Sequence, residues 1–70
     1  MADALQIGNN IRKFRREMGL TQRMLAKKLL VSYQAVSAWE RGQSVPDLAN
    51  AAALAQFFGV SLDALVFDRQ

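Results

Sequence analysis

Leu20-Thr21-Gln22-Arg23-Met24-Leu25-Ala26-Lys27-Lys28-Leu29-Leu30, followed by Val31-Ser32-Tyr33-Gln34-Ala35-Val36-Ser37-Ala38-Trp39-Glu40-Arg41-Gly42, decides the fold. One pattern occurs twice in it: an apolar residue, a hydroxyl residue that can cap a helix, and an apolar residue four positions beyond the cap. Leu20-Thr21 with Leu25 is the first occurrence and Val31-Ser32 with Val36 the second. At such a start the hydroxyl accepts an orphan backbone N–H, and the two apolar groups fix the angle at which the chain enters the helix. The stretch is read as helices over about 22–29 and 33–41, joined by a turn of about 3–4 residues.

The same punctuation extends in both directions. Val60-Ser61 with Leu65 repeats the pattern and opens a helix over about 62–67. At Pro46-Asp47, Asp47 caps and Pro46 forbids continuation from behind, which opens a helix over about 48–58. Upstream, Ile7, Ile11, Phe14 and Met18 recur at intervals of 4, 3 and 4, the signature of one face of a helix over about 4–18. Gly19, Gly42 and Gly59 stand where helix C-termini are expected. No segment alternates well enough to be a strand. Short connections and an alanine-rich composition then imply an all-α fold, a compact five-helix bundle.

Composition narrows the chemistry. The chain has 70 residues, nine Lys+Arg against six Asp+Glu, a net charge of +3, and neither Cys nor His. A disulfide, a thiolate or imidazole metal site, and a Ser–His or Cys–His nucleophile are thereby excluded. No Gly-rich phosphate loop is present, and Glu40 has no catalytic partner, so the chain is read as no enzyme, with no cofactor. The N-terminus has no basic start followed by an apolar run, and the apolar stretch 48–60 is broken by Asn50 and Gln56, so no signal peptide and no membrane span are expected. Residues 1–70 are read as a single domain without repeat, linker or sensor unit, and a cytoplasmic location is expected.

The helix over 33–41 carries the functional signal. Ala35, Val36 and Trp39 share a face that points into the core. The opposite stripe holds Gln34, Ser37, Ala38 and Arg41, with Tyr33 beside its N-terminal end. Amide, hydroxyl, methyl and guanidinium groups on one acid-free surface suit the DNA major groove, where an amide pairs with adenine and a methyl meets the thymine methyl. Two helices across a tight turn form a helix-turn-helix, whose first helix crosses the phosphate backbone while the second lies in the groove. Thr21 and Gln22 start that first helix, where free N–H groups and the helix dipole favour a phosphate oxygen.

Leu20-Thr21-Gln22, Leu25-Ala26-Lys27-Lys28-Leu29, Val31-Ser32, Val36-Ser37-Ala38-Trp39-Glu40-Arg41-Gly42, Pro46, Leu54-Ala55 and Phe58-Gly59-Val60-Ser61-Leu62-Asp63-Ala64-Leu65 together resemble the phage-repressor and Cro-like helix-turn-helix family, the XRE family. The resemblance covers residues 7–66 and implies a lambda-repressor-like fold. It further implies base contacts from Tyr33, Gln34, Ser37 and Ala38, and phosphate contacts from Gln22 and Arg41. A salt bridge between Arg15 and Glu40 is implied as well, setting Arg15 beside the DNA backbone. Thr21, Ser32 and Gln43, at the ends of the two helices, are assigned to the same backbone set. Two positions depart from the family pattern. Leu30 stands where the turn usually has Gly, so the turn is either strained or built differently. Phe57 replaces a small residue, and one helix face cannot bury both Phe57 and Phe58 well.

The other residues read more plainly. Trp39 is expected in the core, with the methionines as gap fillers. Lys27 and Lys28 read as a solvated surface, and Arg12 in the Arg12-Lys13-Arg15-Arg16 cluster is left undecided. The expected function is a sequence-specific regulator of transcription, a repressor, binding double-stranded DNA. It is expected to act as a homodimer on a palindromic operator with half-sites about 34 Å apart. Phe57 and Phe67 are the candidate dimer contacts. The alternative is an antitoxin or other protein-interaction module on the same fold, with a protein partner.

Overall fold

Capping side chains set all five helix starts. The computed structural model describes residues 3–68, which form α1 (Ala4–Glu17), α2 (Gln22–Leu29), α3 (Tyr33–Glu40), α4 (Leu48–Phe58) and α5 (Leu62–Phe67). Asp3, Thr21, Ser32, Asp47 and Ser61 each occupy an N-cap in extended conformation and accept a bond from a backbone N–H three residues on. Such a cap contributes about 1 kcal/mol, a sizeable share for helices as short as these. The expected boundaries differ from the observed ones by one residue at two ends. Met18 and Arg41 are C-caps rather than final helical residues.

α1 is the spine. It packs against α3 on one side and α5 on the other, α2 packs against α3, and α4 closes on α5. Ile11, Phe14, Leu25, Val36, Trp39, Leu54 and Leu65 are buried together, so every helix contributes to one core. Ala35 sits at its margin, half-buried. The Phe14 and Phe58 rings meet at 5.6 Å between centroids, and Phe57 tilts against Phe58 at 5.8 Å, leaving both phenylalanines of α4 half-buried. Asn10 is buried and donates to the Leu65 carbonyl at 2.8 Å, while its own oxygen accepts from Gln6 at 3.1 Å. One side chain thus ties α1 to an unpaired carbonyl in the last turn of α5.

Two expectations are corrected. Met18 and Met24 are both exposed and fill no gap in the core. Met18 falls one residue beyond α1, and Met24 lies on the outer side of α2, whose buried positions are Leu25 and Ala26. The periodicity of α1 therefore carries only Ile7, Ile11 and Phe14 inward.

Leu30 closes α2 with φ 59° and ψ 41°, the left-handed conformation. Of the two readings of this turn, the strained one is realised. A Cβ in this region costs roughly 1–2 kcal/mol. The side chain returns little, because Leu30 is 92% exposed. Leu30→Gly is expected to raise stability by about 1 kcal/mol and the thermal midpoint by about 5 °C, read by denaturant and heat melts.

Candidate nucleic-acid interface

The outer face of α2 and α3 is positive because its one carboxylate is turned inward. Glu40 is the sole acidic residue between Leu20 and Ser44, and it is 1% exposed. Its Oε2 accepts from Arg15 Nε at 2.6 Å, and its Oε1 accepts from Arg15 Nη2 at 2.9 Å. This forked geometry is the strong form of a charged hydrogen bond. Oε1 also accepts from Gln22 Nε2 at 3.1 Å and from Arg12 Nε at 3.3 Å. Burial pushes the Glu40 carboxyl up, but the bonds from Arg15, Gln22 and Arg12 with the Arg15 charge outweigh it, and its pKa lies below the ordinary carboxylate value. The hydrogen bond to Glu40 correspondingly raises the Arg15 pKa against the opposing effect of burial.

Glu40 thereby fixes three elements at one point. It ends α3, receives Arg12 and Arg15 from α1, and holds the amide of the first residue of α2. Arg15 completes the link through Nη1, which donates to the Leu20 carbonyl at 2.8 Å just ahead of α2. The sequence reading placed Arg15 at the DNA backbone as well as in this bridge. The structure buries it to 8% exposure and directs Nε, Nη1 and Nη2 into the protein, so little of it is offered to a phosphate. Arg12 keeps 37% of its side chain exposed, although its Nε and Nη2 donate to the Glu40 carboxylate and carbonyl at 3.3 and 3.4 Å.

The remaining DNA-contact candidates lie on α2 and α3 and on the residues that flank them. Gln34 is exposed on α3, and Ser37 and Ala38 are partly exposed one turn further on. Arg41 is exposed at the end of α3, where its Nε donates to the Ser37 carbonyl at 3.4 Å. Gln43 is exposed just beyond, its backbone N–H held by the Ala38 carbonyl at 2.9 Å. Thr21 Oγ1 and Ser32 Oγ are committed as acceptors to the caps of α2 and α3, each at 3.1 Å, which leaves their hydroxyl protons to donate. Gln22 uses one of its two amide protons on Glu40. Tyr33, the first residue of α3, is half-buried, and the Arg23 guanidinium lies 3.9 Å from its ring centroid.

Phe57 and Phe67 stand on α4 and α5. Phe57 is half-buried and lines a shallow groove with Lys28, Leu29, Leu30, Ala53 and Gln56, while Phe67 is partly exposed at the end of α5.

Sequence reasoning missed Arg23, the Arg12 and Gln22 bonds to Glu40, and Gly8. Arg23 and Tyr33 stand ten positions apart, and only the geometry of the turn brings them together. Gly8 did carry a readable signal, because a lone glycine inside a helical pattern marks a close backbone approach.

Comparison with known proteins gives this geometry its family. Residues 11–65 match the family described as Helix-turn-helix. The chain is 43% identical over 63 residues to the HTH-type transcriptional regulator DicA of Escherichia coli, covering 90% of this chain and 47% of DicA. It is 32% identical over 62 residues to the HTH-type transcriptional activator BcrR of Enterococcus faecalis, covering 89% of this chain and 30% of BcrR. The chain thus spans about half of one relative and under a third of the other. Among solved structures, the P22 c2 repressor protein in complex with a synthetic operator superimposes with a TM-score of 0.84 at 33% identity, covering 90% of this chain and 96% of that one. The match over 11–65, the capped α2–turn–α3 unit and the inward-turned Glu40 agree, and the chain belongs to the helix-turn-helix family of the XRE, Cro/C1 type.

Proposed function

We propose that this chain is a sequence-specific double-stranded DNA-binding regulator of transcription, acting as a repressor, with α3 placed in the major groove. The observation that carries the reading is the outer face of α2–α3. It presents Arg23, Lys27, Lys28 and Arg41 with no exposed carboxylate from Leu20 to Ser44, because Glu40 is internal. An unopposed positive surface around short polar side chains attracts the phosphate backbone and lets a helix approach base edges. Likeness to a repressor seen with its operator supports the repressor assignment.

In this reading Tyr33, Gln34, Ser37 and Ala38 face bases, while Thr21, Gln22, Ser32, Arg41 and Gln43 position the backbone. Arg15, engaged with Glu40, and the more exposed Arg12 are the backbone candidates on α1. The chain acts as a symmetric homodimer, with Phe57 and Phe67 as candidate contacts between copies. No helix among the described residues is long and apolar enough to cross a membrane.

The test is differential. Gln34→Ala is expected to relax preference at one base pair, costing about 1–3 kcal/mol on the preferred duplex and little on others. Arg41→Ala is expected to weaken all duplexes alike and lower the slope of log affinity against log salt by about one. Gln22→Ala is expected to weaken all duplexes without changing that slope, because its amide is uncharged. Anisotropy titrations at several salt concentrations read all three. Equal binding of preferred and scrambled duplexes by the unmodified chain overturns the proposal.

A further inference from the structure

Arg23, on the α2–α3 face, rests its guanidinium on an aromatic ring while its charge is left without a carboxylate partner among the described residues. Its guanidinium lies over the Tyr33 ring at 3.9 Å from the centroid, an approach close enough for stacking. Among the described residues it makes no ion pair: the carboxylates in salt bridges are Glu40 and Asp68, held by Arg12, Arg15 and Lys13. The residue is otherwise exposed. A guanidinium stacked through its face keeps the N–H groups at its edge directed outward. The ring removes much of the freedom that a long side chain must surrender on binding.

Position decides what that edge meets. Arg23 is the second residue of α2, beside the backbone-facing N-terminus, and Tyr33 is the first residue of α3. The pair bridges the element that crosses the phosphates and the end of the helix that enters the groove. A phosphate takes a point charge or a fork in many orientations, whereas a base edge requires the fork to be held in place, and the support here is the first residue of the groove helix. A flat, oriented fork matches two coplanar acceptors, and guanine offers them in the major groove as O6 and N7. We propose that Arg23, seated over the Tyr33 ring, reads a guanine at the edge of each half-site, so that Arg23 and Tyr33 act as one specificity-determining unit.

The inference rests on the DNA-binding reading above and adds a residue to it. It also changes the part played by Tyr33. The ring face covered by Arg23 supports the guanidinium instead of meeting a base.

The experiment uses the full chain and the duplex it selects from a random pool, with each base pair of the half-site replaced in turn. Arg23→Ala is expected to abolish discrimination at a single G·C pair, a loss of about 5- to 150-fold there beyond any loss shared by all duplexes. Arg23→Lys is expected not to restore it, since an ammonium lacks the fork. Tyr33→Phe keeps the stacking face and is expected to retain discrimination. Tyr33→Leu keeps apolar bulk and is expected to lose part of the same discrimination, with no added loss when combined with Arg23→Ala. Helical circular dichroism and a melt verify that each variant is folded. If Arg23→Ala weakens every duplex equally and lowers the salt slope by about one, the residue is a phosphate contact and the proposal fails. If it alters nothing while the unmodified chain still prefers its selected duplex, this proposal fails and the DNA-binding reading stands. If the unmodified chain prefers no duplex, both fail.

Discussion

Gly8→Ala is expected to destabilise the protein by about 3 kcal/mol, at the upper end of the usual cost of overpacking. Gly8 lies inside α1, where alanine would gain up to about 1 kcal/mol of helix propensity. Sterics reverse that sign. A Cβ built there stands 2.9 Å from the Glu40 carbonyl oxygen and closer still to the carbonyl oxygen of Trp39. Both obstacles are backbone, so no side-chain rotation relieves them. α1 and α3 would have to separate at the point where Trp39 is buried and Glu40 takes its bonds. A chain of this size has roughly 4–10 kcal/mol of stability in total. The thermal midpoint is expected to fall by more than about 10 °C. A melt unchanged within about 2 °C would show that the helices do not approach as described.

Glu40→Ala is expected to cost about 3–5 kcal/mol, because it leaves Arg15 charged, buried and unpaired. Replacing Arg15 and Glu40 together by apolar residues of similar volume is expected to cost less than either loss alone, since the one charge left without its partner, on Arg12, is partly exposed. Protonation offers a gentler probe. The folded-state pKa of Glu40 is lowered, so its contribution to stability is fully present above the ordinary carboxylate value. It is lost as pH falls through that value toward the lowered one. Denaturant melts from neutral pH downward are expected to show this acid-side loss. Glu40→Gln is expected to lack the Glu40 part of it while being less stable at neutral pH. Equal acid slopes in the two proteins would contradict the assignment.

Much of the fold was legible because it is encoded locally. Thr21, Ser32, Asp47 and Ser61 are short-range signals, each acting on a backbone N–H three residues away, and they place four helix starts without tertiary information. Asp3 is a fifth cap of the same kind. The exposure of Gln34 and Arg41 and the burial of Val36 and Trp39 follow from one helical period. What was hidden depends on packing between distant segments. Arg12 and Arg15 lie one turn apart on α1 with similar chemistry, and only the approach of α3 decides that Arg15 is interred while Arg12 stays partly exposed. Glu40 reads in sequence as half of a pair, whereas in space it gathers Gln22 as well. Met18 and Met24 read as core by composition but miss the inward arc. Leu30 was legible as an exception to the family pattern, yet its left-handed backbone became clear only with the turn in place.

A repressor of this design must bring the exposed side of α3, with the start of α2, against duplex DNA. Amide chemical shifts of the isotope-labelled chain, followed while its selected duplex is added at physiological salt, test this most directly. The account predicts that the largest changes fall on Gln22, Arg23, Gln34, Ser37, Ala38 and Arg41, with Leu54 and Leu65 in the core little affected. Changes centred on α4 and α5, with those six amides unmoved, would contradict it.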